Sequence, residues 1–340
     1  MNSFFKKTPL IIAEIAQAHE GSIGIAHSYI DALKNTGVNA VKFQTHIAAA
    51  ESSAEEKFRI NFSYEDKTRF DYWKRMEFTF DQWIELRKHC ESQNMYFISS
   101  PFSIAAVELL AKIDVDAFKV GSGEVKNILM LKKISKTNKP VIISSGMSSF
   151  DDLDGAISIF SNVKSEIGIL QCTTAYPTVP KEWGLSVIAE LYKKYNDFPI
   201  GFRDHSGGIY ACLSAAALGA KIFEFHVVFD KSMFGPDSTA SLTMKEVKQV
   251  VEGVTQIQES LNNKINKNDL SKFYELKNLF EKTLAVNKNV QAGDQIEEGM
   301  LETKKPKNCG IPASEFKTVI GRKFSRNMKK WDFIKKTDIV

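Results

Sequence analysis

Between Pro9 and about residue 262 the chain repeats one unit: a short β-branched, apolar run followed by a longer amphipathic stretch. The runs are LIIAEIA (10–16), NAVKFQT (39–45), MYFISS (95–100), DAFKVGS (116–122), PVIISS (140–145), IGILQC (167–172), FPIGF (198–202) and KIFEFHVV (221–228). Stretches such as AHSYIDALKNTG and FDQWIELRKHCESQ separate them with helical spacing. Strands alternating with helices pair in parallel, because each helix carries the chain back to the same end of the sheet. Eight such units predict an α/β fold, a closed (β/α)8 TIM barrel. No GxGxxG turn follows the first run, which argues against an open doubly wound sheet.

A barrel over 1–265 leaves a polar, Asn/Lys-rich segment that reads as a linker helix (266–282) and a small β-rich domain (283–340). That last part carries a faint internal repeat. KNVQAGDQIEEGML (288–301) and RNMKKWDFIKKTDI (326–339) align without gaps, matching Asn289 with Asn327, Asp294 with Asp332 and Ile296 with Ile334. So short a piece buries little surface alone, so it is expected to dock on a barrel or a partner subunit. The stretch 46–78, rich in charge and aromatics, is a long connection after the second strand. Connections of that length are usually functional, which places it over the barrel mouth or at a subunit contact.

Composition narrows the class. Hydrophobic residues at 43% and charged residues at 25% suit a soluble globular protein. The net charge of +4 is dispersed, and the C-terminal Lys/Arg cluster lacks the interleaved aromatics of a nucleic-acid surface. No run approaches the ~18 apolar residues of a membrane span. The opening MNSFFKKTPLIIAEIA is interrupted by Glu14 and lacks a small-residue cleavage site, so it reads as a first strand rather than a signal. Four scattered cysteines (Cys90, Cys172, Cys212, Cys309) form no CxxC pair and suit reduced thiols, hence a cytoplasmic protein.

Active sites of such barrels lie at the C-terminal ends of the strands. Those ends carry His19-Glu20, Lys42 with Gln44, Ser99-Ser100, Lys119 with Ser122-Gly123-Glu124, Ser144-Ser145-Gly146, Thr173-Thr174-Ala175-Tyr176, His205, and Glu224 with His226. Two lysines inside strand patterns, beside serines and glycine turns, suit a phosphate held by ammonium groups, hydroxyls and backbone N–H. Strands seven and eight are neighbours in a barrel, so His205 and His226 are expected to converge on one divalent first-row ion. Two protein ligands leave positions open for substrate, which is a Lewis-acid arrangement.

These motifs resemble the sialic acid synthase family over essentially the whole chain: IIAEIAQAHEGS, VKFQTH, ISSPFS, FKVGSGE, ISSGMSS, CTTAYPT, RDHSGG, GPDSTASL and KKPKNCGIP occur in order. The resemblance implies a TIM barrel followed by a small antifreeze-like (SAF) domain, in a domain-swapped homodimer. It implies condensation of phosphoenolpyruvate with an N-acyl hexosamine, with water added and phosphate released. Carried over position by position, the metal ligands fall on His205 and His226, with Mn2+ as the ion and Mg2+ or Co2+ as substitutes. The phosphoenolpyruvate pocket falls on Lys42, Ser100, Lys119, Ser122, Ser144 and Thr174. The sugar side falls on Glu20, Gln44, Tyr176 and Asp237, with Glu124 near the reacting atoms and Lys305 reaching in from the small domain. Glu20 and Glu124 are the acid–base candidates.

Three positions depart from the family pattern. Arg203 stands where Ser usually precedes Asp-His and is expected to touch the phosphate. Ala18 replaces the Asn before the first-strand His, with Gln17 beside it. Lys305 replaces Arg, turning a two-pronged contact into a point charge. The motifs look most like members making N,N'-diacetyllegionaminic acid, then N-acetylneuraminic acid, then pseudaminic acid. A Schiff-base aldolase using Lys119 is a rival mechanism. A sugar-binding protein without turnover is a rival of another class.

Overall fold

The computed structural model describes residues 3–6, 8–60 and 62–340. It divides into two compact units, Met1–Asn263 and Lys264–Val340. In the first, eight parallel strands follow sequence order: β1 (Leu10–Ala16), β2 (Ala40–Thr45), β3 (Tyr96–Pro101), β4 (Ala117–Val120), β5 (Val141–Ser144), β6 (Ile167–Cys172), β7 (Ile200–Asp204) and β8 (Ile222–Val228). Each pairs with the next, and β8 pairs back with β1, so the sheet is a closed barrel. The expected runs hold with ends shifted by up to two residues; such shifts leave Gly121 and Ser122 outside β4 and bring Arg203 and Asp204 into β7.

Side chains alternate between the faces of a strand. The outward set, including Ile11, Val41, Phe97, Phe118 and Phe223, packs against helix residues such as Tyr29, Trp83 and Leu131. The inward set begins as an apolar floor of Leu10, Ile12, Ala40, Ile98, Ala117 and Ile222, joined by Phe5 from a single turn before β1. Gly168 makes room for that plug: a Cβ there would lie 2.6 Å from Ile222 and 3.0 Å from Phe5. Two residues further along, the same inward face becomes Glu14, Lys42, Ser100, Lys119 and Glu224. An apolar floor beneath a polar layer follows from the period of two alone.

The stretch 46–78 folds as two short helices, Ala48–Glu51 and Arg69–Met76, the second started by a reciprocal Thr68–Asp71 cap. Tyr72, Trp73, Met76 and Ala48 give it a small core of its own. Among the described residues no helix is long and apolar enough to cross a membrane.

In the second unit, the expected helix over 266–282 shrinks to Tyr274–Phe280 after one turn at Ser271–Phe273. Asn266 and Asp269 explain the loss: their side chains accept from the backbone N–H of Asn268 and Ser271, offering turns in place of helix. The strands β9 (Leu242–Thr243), beside β8 in the first unit, β10 (Thr283–Val286) and β11 (Leu301–Lys304) complete the set. The faint repeat is a true structural duplication. Asn289 Oδ1 accepts from Lys330 N–H while Asn327 Oδ1 accepts from Ala292 N–H, each at 2.8 Å. Asp294 and Asp332 cap equivalent turns, and Val290 bridges Met328 at the centre. Leu284, Val286, Ile296, Phe324 and Ile334 fill the core between the halves.

Candidate active site

Register sets the charged layer. Glu14 lies beside Lys42 on β2 and beside His226 on β8, while Arg203 on β7 lies beside Glu224. Lys42 Nζ donates to Glu14 and lies 3.3 Å from Ser100 Oγ. Gln44 Nε2 donates to Glu14 Oε1 at 2.7 Å, and Arg203 Nη2 donates to Glu14 Oε2 at 2.9 Å. Glu224 Oε1 takes Lys119 Nζ at 3.2 Å, with Arg203 Nε 2.9 Å away in a charge contact and Lys42 Nζ at 3.5 Å. All five charged groups are buried. Three cations face two carboxylates, so the layer carries an excess of one positive charge. Buried charge is costly unless paired; an anion is the missing partner.

The environment tunes each group. Burial pushes Glu14 up, but Arg203, His226, Lys42 and Lys119 together hold it well below its ordinary value. Burial pushes Lys119 down to about 8 against the opposing pull of Glu224. Burial, with Arg203 and His226 adding to it, holds His205 well below the usual imidazole range, and burial lowers His226 as well. Both rings are therefore neutral, each with one N–H and one lone pair.

Above the layer opens a cavity of about 390 Å³, lined by Lys42, Gln44, Ser100, Ser122, Glu124, Thr174, Tyr176, Arg203, His226 and Asp237. Gly146 marks a point where hydroxyls meet: a Cβ there would lie 2.5 Å from Thr174 Oγ1 and 2.7 Å from Ser122 Oγ. Ser144 Oγ is buried without a hydrogen-bond partner among the described residues. Lys119, Ser144 and His205 are buried and are not among the lining residues.

The two imidazoles are neighbours, with ring centres 5.5 Å apart. His205 Nδ1 donates to the Thr173 carbonyl at 2.8 Å, which leaves Nε2 as the bare nitrogen, buried and without a partner among the described residues. His226 Nε2 accepts from Arg203 at 3.1 Å. Tyr176 roofs the pair, its ring 4.1 Å from His205 and 6.0 Å from His226. Among the described residues no third His, Cys, Asp or Glu joins them in a metal-binding group. An orphaned neutral imidazole nitrogen next to a second imidazole is nonetheless a donor set that fits a divalent ion with open positions.

A model of the NeuB family matches residues 29–266. The chain belongs to the NeuB family. N,N'-diacetyllegionaminic acid synthase of Campylobacter jejuni is 33% identical to this NeuB-family chain over 336 residues, covering 97% of it and 99% of the relative. Human N-acetylneuraminate-9-phosphate synthase is 33% identical over 326 residues, 92% of this chain and 88% of the relative. The N-acetylneuraminic acid synthetase of Leptospira borgpetersenii, solved with citrate, superposes with a TM-score of 0.71 at 31% identity, covering 80% of this chain and 91% of the other.

Besides Lys119, Ser144 and His205, two further candidate residues of the NeuB-family chain stand apart from the cavity lining. Glu20 accepts from Arg75 at 2.8 Å and faces a smaller cleft beside Gly235 and Ser238; burial raises its carboxyl although Arg75 opposes. Lys305 belongs to the second unit, with Nζ 4.8 Å over the Phe280 ring. Glu124 is held by Asn127 at 2.8 Å, and burial raises it too. Gln17, the neighbour of the departing Ala18, does reach the cavity, where it donates to Gln44 and contacts His46. Sequence reasoning missed Glu14, though it alternates with Leu10 and Ile12 as Glu224 does with Ile222. It also missed Arg59, which rises from the 46–78 connection, lies 4.2 Å over the Tyr176 ring and pairs with Asp237 at 3.2 Å. No local pattern marks Arg59; its place depends on how that connection folds over the mouth.

Proposed function

We propose that this protein is a nonulosonic acid synthase that condenses phosphoenolpyruvate with an N-acyl hexosamine and water, releasing phosphate. The product is N,N'-diacetyllegionaminic acid from 2,4-diacetamido-2,4,6-trideoxy-mannose, or N-acetylneuraminic acid from N-acetylmannosamine. The observation that carries this is the buried excess cation beneath converging hydroxyls, directly beside two neutral imidazoles. Relatives named for those two products, matched over at least 91% of their length, support it.

Lys42, Lys119 and Arg203 offset the phosphate and carboxylate charge of phosphoenolpyruvate, with Ser100, Ser122, Ser144 and Thr174 donating to its oxygens. Gln44, Tyr176 and Asp237 orient the sugar above it, so that C3 of phosphoenolpyruvate meets the open-chain aldehyde carbon in near-attack geometry. That bond leaves positive character at C2; a water adds there, and the tetrahedral species expels phosphate. Glu124, its carboxyl raised by burial, takes the proton from that water in this reading, and Glu20 orients a sugar hydroxyl. His205 and His226 would hold a divalent ion, Mn2+ with Mg2+ or Co2+ as substitutes, and when bound it supplies Lewis-acid polarisation of the aldehyde oxygen. Lys119, wholly buried against Glu224, supplies field rather than a nucleophile, which disfavours the imine route. The C-terminal duplication serves as an antifreeze-like domain in a domain-swapped cytoplasmic homodimer, bringing Lys305 to the sugar; support is the motif resemblance.

The test is direct. Protein, Mn2+ and phosphoenolpyruvate are mixed with each competing sugar, and products are read by mass spectrometry with phosphate release. One nonulosonic acid forming with equimolar phosphate is the expected result. Absence of both with every N-acyl hexosamine overturns the assignment, and a borohydride-trapped pyruvate adduct on Lys119 would replace the mechanism.

A further inference from the structure

His226 Nε2 has two claimants. It accepts from Arg203 Nη2 at 3.1 Å, with Glu14 Oε2 3.3 Å away, and its ring stands 5.5 Å, centre to centre, from that of His205, whose Nε2 is bare. A ring nitrogen cannot serve a guanidinium proton and a cation at once. We propose that Arg203 and the divalent ion compete for His226, so that an anion in the pocket, by drawing Arg203 away, sets how tightly the ion binds. This rests on the synthase reading above for the existence of the metal pair.

The geometry supports a movable guanidinium. Arg203 is held by two carboxylates that other groups already serve: Glu14 also accepts from Lys42 and Gln44, and Glu224 from Lys119. A phosphate lodged among Lys42, Ser100 and the hydroxyls of Ser122 and Thr174 presents a stronger, multiply charged acceptor to the same planar fork. When Arg203 turns to it, His226 is released and a buried positive charge leaves the edge of the ion site. Both changes favour the cation. By linkage the effect is reciprocal: the ion tightens phosphate binding by the factor by which phosphate tightens the ion. The two loadings are thus coupled through one side chain.

The experiment titrates Mn2+ into the full-length, chelator-treated protein, reading free Mn2+ by electron paramagnetic resonance, with and without saturating inorganic phosphate. The forms are wild type, Arg203→Ser, and Arg203→Lys. Serine leaves Lys42 and Lys119 matched by Glu14 and Glu224, so the layer loses its excess charge; lysine keeps the charge without the fork, and circular dichroism checks each fold.

Without phosphate, Arg203→Ser should bind Mn2+ at least about tenfold more tightly than wild type, equivalent to ~1.4 kcal/mol. Phosphate should tighten Mn2+ binding severalfold in wild type and much less in Arg203→Ser. Equal or weaker Mn2+ affinity in a folded Arg203→Ser protein overturns the competition; if that variant does not fold, unchanged affinity in Arg203→Lys does so. Mn2+ failing to bind any form also overturns it. The synthase reading fails separately, if the competition is seen but no sugar yields product.

Discussion

Lys119 offers a prediction in which affinity and stability move in opposite directions with pH. Its ammonium is wholly buried, lies 3.2 Å from Glu224, and is pushed by burial to about 8. An anion above it binds only the protonated form, and in the complex the added negative charge keeps that proton on. The apparent dissociation constant for inorganic phosphate should therefore rise once pH passes 8, approaching tenfold per pH unit. From pH 7 to 9.5 the protonated fraction falls about 30-fold, and affinity with it. The ligand-free protein responds the other way. An unfolded lysine titrates near ~10.4, so between 8 and that value the unfolded chain binds more protons and stability rises with pH, by roughly 3 kcal/mol from this group. Isothermal titration with phosphate and urea unfolding, both run from pH 7 to 9.5 on wild type and Lys119→Met, measure the two arms. The reasoning is refuted if phosphate affinity is flat across that range, or if Lys119→Met shows the same slope as wild type.

Two substitutions probe the same layer. Glu224→Gln removes a carboxylate shared by Lys42, Lys119 and Arg203, so it should cost about 3–5 kcal/mol in urea unfolding, and phosphate should protect this variant more than wild type; equal protection would count against an anion filling the gap. Gly146→Ala puts a methyl 2.5 Å from Thr174 Oγ1 and 2.7 Å from Ser122 Oγ, so phosphate binding should drop by at least about tenfold while the unfolding midpoint stays within a few degrees; undiminished binding would move the anion elsewhere.

The barrel was legible because its signal is long-range and repeated: eight apolar runs alternating with amphipathic stretches leave few topologies to choose from. His205 and His226 could be paired in advance because strand order alone makes β7 and β8 neighbours. Glu14 was overlooked because a carboxylate in an apolar run reads as an interruption until the run's inner face is followed residue by residue. The helix over 266–282 was overread, since its Asn and Asp side chains bind their own backbone and periodicity does not register that competition. Arg59 and Arg75 act across separations of more than fifty residues, on Asp237 and Glu20, from a connection with its own aromatic core. Such contacts depend on a packed surface that no short window of sequence encodes. Asn289 and Asn327 are the reverse case: a faint identity that proved to be a reciprocal pair of turn contacts.

Phe5 and the hydrocarbon ring around it make the barrel a cup rather than a tube. With one end stoppered, whatever settles against the lysines must go in before anything that rests on top of it, and must come out afterwards. Traffic through such a vessel is last in, first out, and a single aromatic ring at the far end imposes that queue without touching a reactant.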